Sequence, residues 1–275
     1  MAVRCGISAS MGHKMNKNFN QMTYIKAVLR ANTLEALRAG MVSYIPALLM
    51  FVQNIMFLMI WVMFFAYADN LNGWTLREMM VLTGVVCTAF GLTSFLCGGG
   101  YILNQIIDRG ELDKYLCRPG SVLISAVFSN CRVQGTGDML TGVMIMCYVA
   151  QFNMVEWLFF LACVIAASVL FISMIIIVQS IGFWKTNSAS LSDALFEFII
   201  ILSSMPQHGF PAVAKVIIFT VLPVGFMGLL PVMIYTQQSL ALLVPLYGAA
   251  FLFAFIARSV FYKGLERYKS GNLCV

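Results

Sequence analysis

The chain has 275 residues, of which 61% are hydrophobic and only 10% charged, with a net charge of +6 and a mean hydropathy of +0.88. Soluble domains carry about 25% charged residues, so this composition excludes an ordinary soluble domain and points to a polytopic membrane protein. The eight cysteines mostly lie inside apolar stretches and form no Cys-x-x-Cys pair, which excludes a disulfide or zinc framework as their first reading.

Residues 1–20 hold no apolar run, and Lys14 and Lys17 interrupt them, so no signal peptide is expected. Residues 22–38 place Met22, Ile25, Val28 and Leu29 at helical spacing beside Lys26, Arg30 and Arg38. This predicts an amphipathic helix lying on the inner membrane surface. A spanning helix needs roughly 20 mostly apolar residues. Candidates occur at about 41–68, 79–103, 134–151, 157–184, 189–205, 213–235 and 240–257.

Charge parity reduces these seven candidates to six spans. Arg4, Lys14, Lys17, Lys26, Arg30 and Arg38 before the first span place the N-terminus in the cytoplasm. Arg109, Lys114, Arg118 and Lys185 then fall on the same side. The tail, with Arg258, Lys263, Arg267 and Lys269, also belongs there, and seven full crossings would put it outside. The weakest candidate is 213–235, broken by Pro223, Gly225, Gly228 and Pro231. Two short helices that dip into the membrane from outside and return satisfy the parity. Broken backbone at that depth requires protein or a water-filled cavity beside it. The expected division is therefore a cytoplasmic N-terminus over 1–40, a transmembrane domain over 41–257 containing a re-entrant hairpin at 206–235, and a cytoplasmic tail over 258–275.

Residues 104–121 hold six charges, Asp108, Arg109, Glu111, Asp113, Lys114 and Arg118, between two long apolar segments. Such density requires an aqueous loop, and loops carry function disproportionately. Pro119-Gly120 ends the loop, and Ser121 is placed to cap the next helix. From Ser121 to Gln151 the pattern stays helical for about 31 residues, or about 46 Å at 1.5 Å per residue, so 121–133 is expected at or below the inner interface with Arg132 snorkelling to water. Gly98-Gly99-Gly100 reads as a close-packing or hinge element. Among intramembrane acids, Asp138 and Glu197 are candidate functional groups, while Asp193 sits where a helix N-terminus favours a carboxylate.

Covalent chemistry has no carrier here. Gly6 to Lys14 lacks Walker A spacing, GxSxG and HExxH are missing, and the two histidines, His13 and His208, are expected on opposite faces, so no metal site is expected. The distribution of the positive charge follows membrane topology and gives no nucleic-acid footprint.

Three stretches carry a resemblance to a known family. Gly110-Glu111-Leu112-Asp113-Lys114-Tyr115-Leu116-Cys117-Arg118-Pro119 resembles the inner loop of ABC-2 type transporter permeases, in the viologen- and daunorubicin-exporter-like branch, with Cys117 where leucine is usual. Met205-Pro206-Gln207-His208-Gly209-Phe210-Pro211, followed by Leu222-Pro223-Val224-Gly225-Phe226 and Leu230-Pro231, is similar to that family's proline pattern, with Met205 replacing tyrosine. The tail Gly264-Leu265-Glu266-Arg267-Tyr268-Lys269-Ser270-Gly271 is similar to the family's closing motif.

The resemblance implies an all-α permease with six transmembrane helices, a cytoplasmic coupling helix after the second span and the hairpin before the last. It implies a transport subunit without its own ATPase site, in a bacterial-type inner membrane. The partners would be a separate ATP-binding cassette subunit, which would hold ATP and Mg, and a second identical or paralogous permease. On this reading Glu111, Leu112, Asp113, Tyr115 and Arg118 couple to the ATPase, with Leu112 and Tyr115 as apolar anchors, while Pro206, Pro223, Gly225, Phe226 and Pro231 shape the hairpin and pathway. Two alternatives stay open: an ion-gradient-driven secondary transporter, and a membrane scaffold that transports nothing.

Overall fold

The computed structural model describes residues 26–31, 44–67, 73–117, 120–151, 153–206 and 211–268, together with Thr23 and Leu34. Every regular element of more than one residue among them is helical. The long elements are α1 (Ile45–Tyr67), α2 (Leu76–Leu96), α7 (Gly135–Ala150), α8 (Met154–Gln179), α9 (Ala189–Ser203) and α13 (Leu243–Leu265). Four helical stretches are long and apolar enough to cross a membrane: 45–67, 76–96, 154–183 and 240–265. Short pieces link them. These are α3 (Gly98–Tyr101), α4 (Leu103–Asp108), α5 (Asp113–Leu116) and α6 (Val122–Val127) after α2, and α10 (Ala212–Thr220), α11 (Val224–Met227) and α12 (Leu229–Gln237) before α13.

The core forms around α2 and α8, which are apolar on nearly all sides, the pattern of a helix buried or immersed in lipid. Thr75 starts α2 with a reciprocal capping box to Glu78, and Asn153 caps α8 through the Val155 amide. The two helices run parallel and in register. The Arg77 guanidinium meets Glu156 at 3.4 Å, Ser168 Oγ donates to the Ala89 carbonyl at 3.2 Å, and the Asn187 amide donates to Asp108 at 3.1 Å. Each pairs residues 79 apart, so one register holds from the first turn of α2 to the loop beyond it.

α7 returns antiparallel along α2 at very close range. A Cβ on Gly91 would lie 2.5 Å from the Gly135 carbonyl, and one on Gly135 would lie 2.5 Å from the Gly91 carbonyl, so both positions require glycine. α13 packs along α8, with the Tyr247 hydroxyl donating to the Ala162 carbonyl at 3.0 Å and Phe183 edge-on to Phe261 at 5.4 Å. α1 lies at the edge of the fold. It rests on α7 and α2, with Ala47 buried and Leu58, Trp61 and Phe65 packed on the core, while Leu48, Leu49, Met56, Ile60 and Met63 are exposed on its other side. Followed in chain order, α1 leads away from the charged-loop end, α2 towards it, α7 away, α8 towards it, α9 away and α13 towards it.

Two sequence expectations change. The helix expected from Ser121 to Gln151 is broken at 128–134, between α6 and α7. The Gly98–Gly100 run is buried, and Gly98 and Gly99 press directly on residues 126–132, whose backbone leaves the helical path there. That contact bears out the close-packing reading of the glycines. Arg132, expected to snorkel, lies instead over the Tyr101 ring at 4.4 Å, half-buried. Of the helix expected at 22–38, residues 26–31 are helical, with Val28 and Leu29 half-buried and Lys26 and Arg30 exposed; most of the remainder lies outside the described residues.

The α2–α7 contact generates a direct test. Gly91→Ala should lower stability by about 1–3 kcal/mol, the usual cost of overpacking. Gly248→Ala in α13, where nothing lies within 4 Å of the added Cβ, should leave stability unchanged or slightly higher. Thermal unfolding of the detergent-solubilised protein reads both, and equal effects would contradict the close approach.

Candidate translocation cavity and coupling loop

The charged loop is built where the C-terminal ends of α2 and α8 come together. α4 carries Asn104, fully buried, whose side-chain amide donates to Ser188 Oγ at 3.1 Å and Ser192 Oγ at 2.9 Å. Asp108 accepts from the Asn187 amide, so the loop after α2 and the loop after α8 are joined at two levels. Gly110, at φ 71°, turns the chain from α4 towards α5, a conformation that glycine adopts without a side-chain penalty.

Within the loop the side chains divide by direction. Leu112 is 0% exposed and Tyr115 is 5% exposed, both turned into the fold. The two expected apolar anchors are thus occupied with the protein's own core. The outward side presents Arg109, Lys114, Leu116 and Cys117, with Glu111 and Asp113 half-buried at its edge. Glu111 and Lys114 form an ion pair at 2.6 Å, one turn apart. The hydrogen bond and charge of Lys114 hold the Glu111 carboxyl below its ordinary range. Arg118 lies outside the described residues.

The tail closes over the same region. Phe183 sits edge-on to Tyr268 at 6.4 Å, and the Ser121 and Tyr262 hydroxyls are 3.1 Å apart. Burial first, then the adjacent Asp113 carboxylate, raises the Tyr268 phenol above its usual value. Two of the three stretches that carried the resemblance, around Asp113 and around Tyr268, are therefore neighbours in space. Sequence spacing gave no hint of that meeting, nor of the Asn104–Ser188–Ser192 network; the one available signal was a polar Asn104 at the end of a long apolar run.

A cavity of about 570 Å³ lies between α1, α2, α7 and α9. Asp138 and Glu197, the two acids singled out from sequence, both line it, and so do Asp193 and Arg132. Asp138 is buried and accepts a 2.6 Å hydrogen bond from Asn54 on α1. Asp193 accepts from Gln179 on α8 at 2.8 Å, and Glu197 is exposed one turn further along α9. The lining reaches Ser204, so the cavity follows α9 for about 16 Å at 1.5 Å per residue.

The proline-rich segment lies elsewhere. α10 and α12 have nine residues each, about 14 Å, well short of the roughly 30 Å hydrocarbon core. Pro223, Gly225 and Pro231 are buried, and Phe226 sits edge-on to Phe219 at 5.2 Å. Gly225 is pressed by the same ring, 2.5 Å from where its Cβ would be. Pro206, half-buried, follows α9, and Gln207 to Phe210 lie outside the described residues. None of Pro206, Pro223, Gly225, Phe226 or Pro231 lines the cavity. The segment is instead fixed at the far end, where the Tyr235 hydroxyl donates to Glu156, which also pairs with Arg77. Removing that hydroxyl with Tyr235→Phe forfeits about 1.5 kcal/mol of charge-assisted hydrogen bonding. Amide exchange over 229–238 should accelerate roughly tenfold while α2 is unaffected; unchanged exchange would show that the contact does not hold the segment.

Comparison with curated proteins and with solved structures returned no match. The family model described as ABC-2 family transporter protein matches residues 50–271, from within α1 to the tail. The chain therefore belongs to the ABC-2 family of transporter membrane proteins.

Proposed function

We propose that this protein is the membrane-spanning permease subunit of an ATP-binding cassette exporter, driven by a separate ATPase subunit. The observation that carries this reading is the family match over residues 50–271, which covers the membrane helices and the charged loop together. The six crossings are α1, α2, α7, α8, α9 and α13, with 206–235 as a re-entrant hairpin; the alternating direction of those six helices and the shortness of α10 to α12 support it. The charged-loop end then faces the cytoplasm of a cell with an inner membrane, together with both termini, in keeping with the distribution of Lys and Arg. The loop motif supports membership of the viologen- and daunorubicin-exporter-like branch.

ATP and Mg belong to the partner in this reading, and the permease contributes mechanics. The ATPase meets the outward side of 109–117, where Arg109, Lys114 and Leu116 are exposed and Glu111 and Asp113 supply the acidic edge. Charges at such a rim set register and partner choice more than affinity. Leu112 and Tyr115 act one layer below, transmitting a push on the loop into the core they occupy. Arg118 borders the same surface in sequence. A second permease copy or paralogue completes the pathway. The exposed apolar length of α1 suits either that contact or lipid.

The test exchanges the loop's ion pair. Glu111→Lys with Lys114→Glu retains a pair of opposite charges but reverses the pattern that a partner meets. Co-purification of the co-expressed ATP-binding cassette subunit should fall at least about tenfold, one decade per 1.4 kcal/mol, and permease-stimulated ATP hydrolysis should fall with it. The melting temperature should stay within a degree or two, because both side chains reach solvent and such pairs contribute little to stability. Association and stimulation equal to wild type would overturn the assignment of the loop.

A further inference from the structure

We propose that the seam between α13 and the start of α6 binds one anionic phospholipid, its phosphate held by Arg258, Tyr262 and Ser121. α13 is long and apolar enough to span a membrane. Phe251 and Phe255 are 76% and 67% exposed, seven and three residues before Arg258, so the three side chains share one helix face. An exposed apolar strip of that kind suits acyl chains. Arg258 is exposed at the charged-loop end of the strip, about 10 Å along the helix from Leu265 at 1.5 Å per residue. Among the described residues no carboxylate lies within ion-pair distance of it. An arginine on a lipid-facing helix needs an anion or a reach to the interface, and lipid phosphate is the anion found at that depth.

The guanidinium is held in place for this role. It lies over the Tyr262 ring at 5.0 Å, a contact that positions the charge without neutralising it. The Tyr262 hydroxyl in turn meets Ser121 Oγ at 3.1 Å, and Ser121 Oγ accepts the Ile124 amide at the start of α6. One of these two hydroxyls donates to the other, which leaves one hydroxyl proton for a further acceptor. A guanidinium beside a free hydroxyl proton is a donor set that phosphate oxygens satisfy. The surrounding charge selects an anionic lipid over a zwitterionic one. From Arg258 to Arg267 the chain carries Arg258, Lys263 and Arg267 against Glu266, so a headgroup bringing its own cation would meet repulsion. Lys263 stands about 140° around the helix from Arg258 and does not share the seam.

The experiment titrates phosphatidylglycerol or phosphatidylcholine into the detergent-purified full chain and counts bound lipids by native mass spectrometry. No ATPase is needed, so the result is independent of the coupling role of the charged loop. Wild type should hold one phosphatidylglycerol at least about tenfold more tightly than phosphatidylcholine. Arg258→Gln should weaken that site at least about tenfold, the usual effect of losing a charge-assisted hydrogen bond. Tyr262→Phe keeps the ring under the guanidinium and drops the hydroxyl; it should weaken the site about threefold and gives the reading if Arg258→Gln fails to fold. Lys263→Gln removes the same charge from another face and should leave the affinity unchanged. Equal weakening by Lys263→Gln and Arg258→Gln would reduce the effect to bulk charge and overturn the proposal. So would a wild type without preference for phosphatidylglycerol, or displacement of the lipid by excess inorganic phosphate. Loss of a dimeric mass in Arg258→Gln with lipid binding unchanged would also overturn it, assigning the face to a second copy of the chain.

Discussion

The parallel, in-register pairing of α2 and α8 is the constraint on which the rest of this structure depends. Arg77 with Glu156, Ala89 with Ser168 and Asp108 with Asn187 share one sequence offset of 79 from end to end. A slip of one turn would separate the charged partners at both ends and leave polar groups unpaired where water is scarce. α7 and α13 are positioned by this pair, the first through the glycine contact with α2 and the second along α8. Because lipid supplies little of the driving force that water gives a soluble core, close packing and a few hydrogen bonds carry the association.

The pairing also gives the proposed coupling role of the charged loop a physical route. The loop's base is tied to the start of α9 by Asn104 and Asp108, and its far end to α13 by the Ser121–Tyr262 hydroxyl contact. A force applied to 109–117 therefore reaches α8, α9 and α13 through existing bonds, with no requirement for a separate lever. At the opposite end the same two helices hold Tyr235 through Glu156. The cavity lies between these anchored ends, bounded by α9 and by α1. Displacement of α1 or α9 against the fixed pair changes its shape, which is the geometry an alternating-access pathway needs.

Much of this was legible in the amino-acid sequence. The helical class followed from composition, and the broken 213–235 segment from its prolines and glycines. The ABC-2 family followed from three short stretches that the family match over 50–271 supports. The roles of Leu112 and Tyr115 were not legible, because an apolar residue in a charged loop looks the same whether it waits for a partner or fills its own core. The break at 128–134 was hidden for a related reason: residues 121–151 keep a helical pattern throughout, and the close contact of distant glycines is what ends α6. Asp138 and Glu197 were identified as acids worth weighing, but only the fold shows that α1, α2 and α9 close a cavity around them.

The central claim is that the 104–121 loop is the surface through which an ATPase moves these helices. Cys117 offers a direct probe, since it is exposed on the outward side of that loop. In a variant retaining Cys117 as its only cysteine, a membrane-impermeant maleimide should label inside-out vesicles and spare right-side-out ones. Binding of the ATP-binding cassette subunit should then slow the labelling at least about tenfold, as burial under a partner does. Labelling from the outer face, or a rate indifferent to the bound ATPase, would contradict the account.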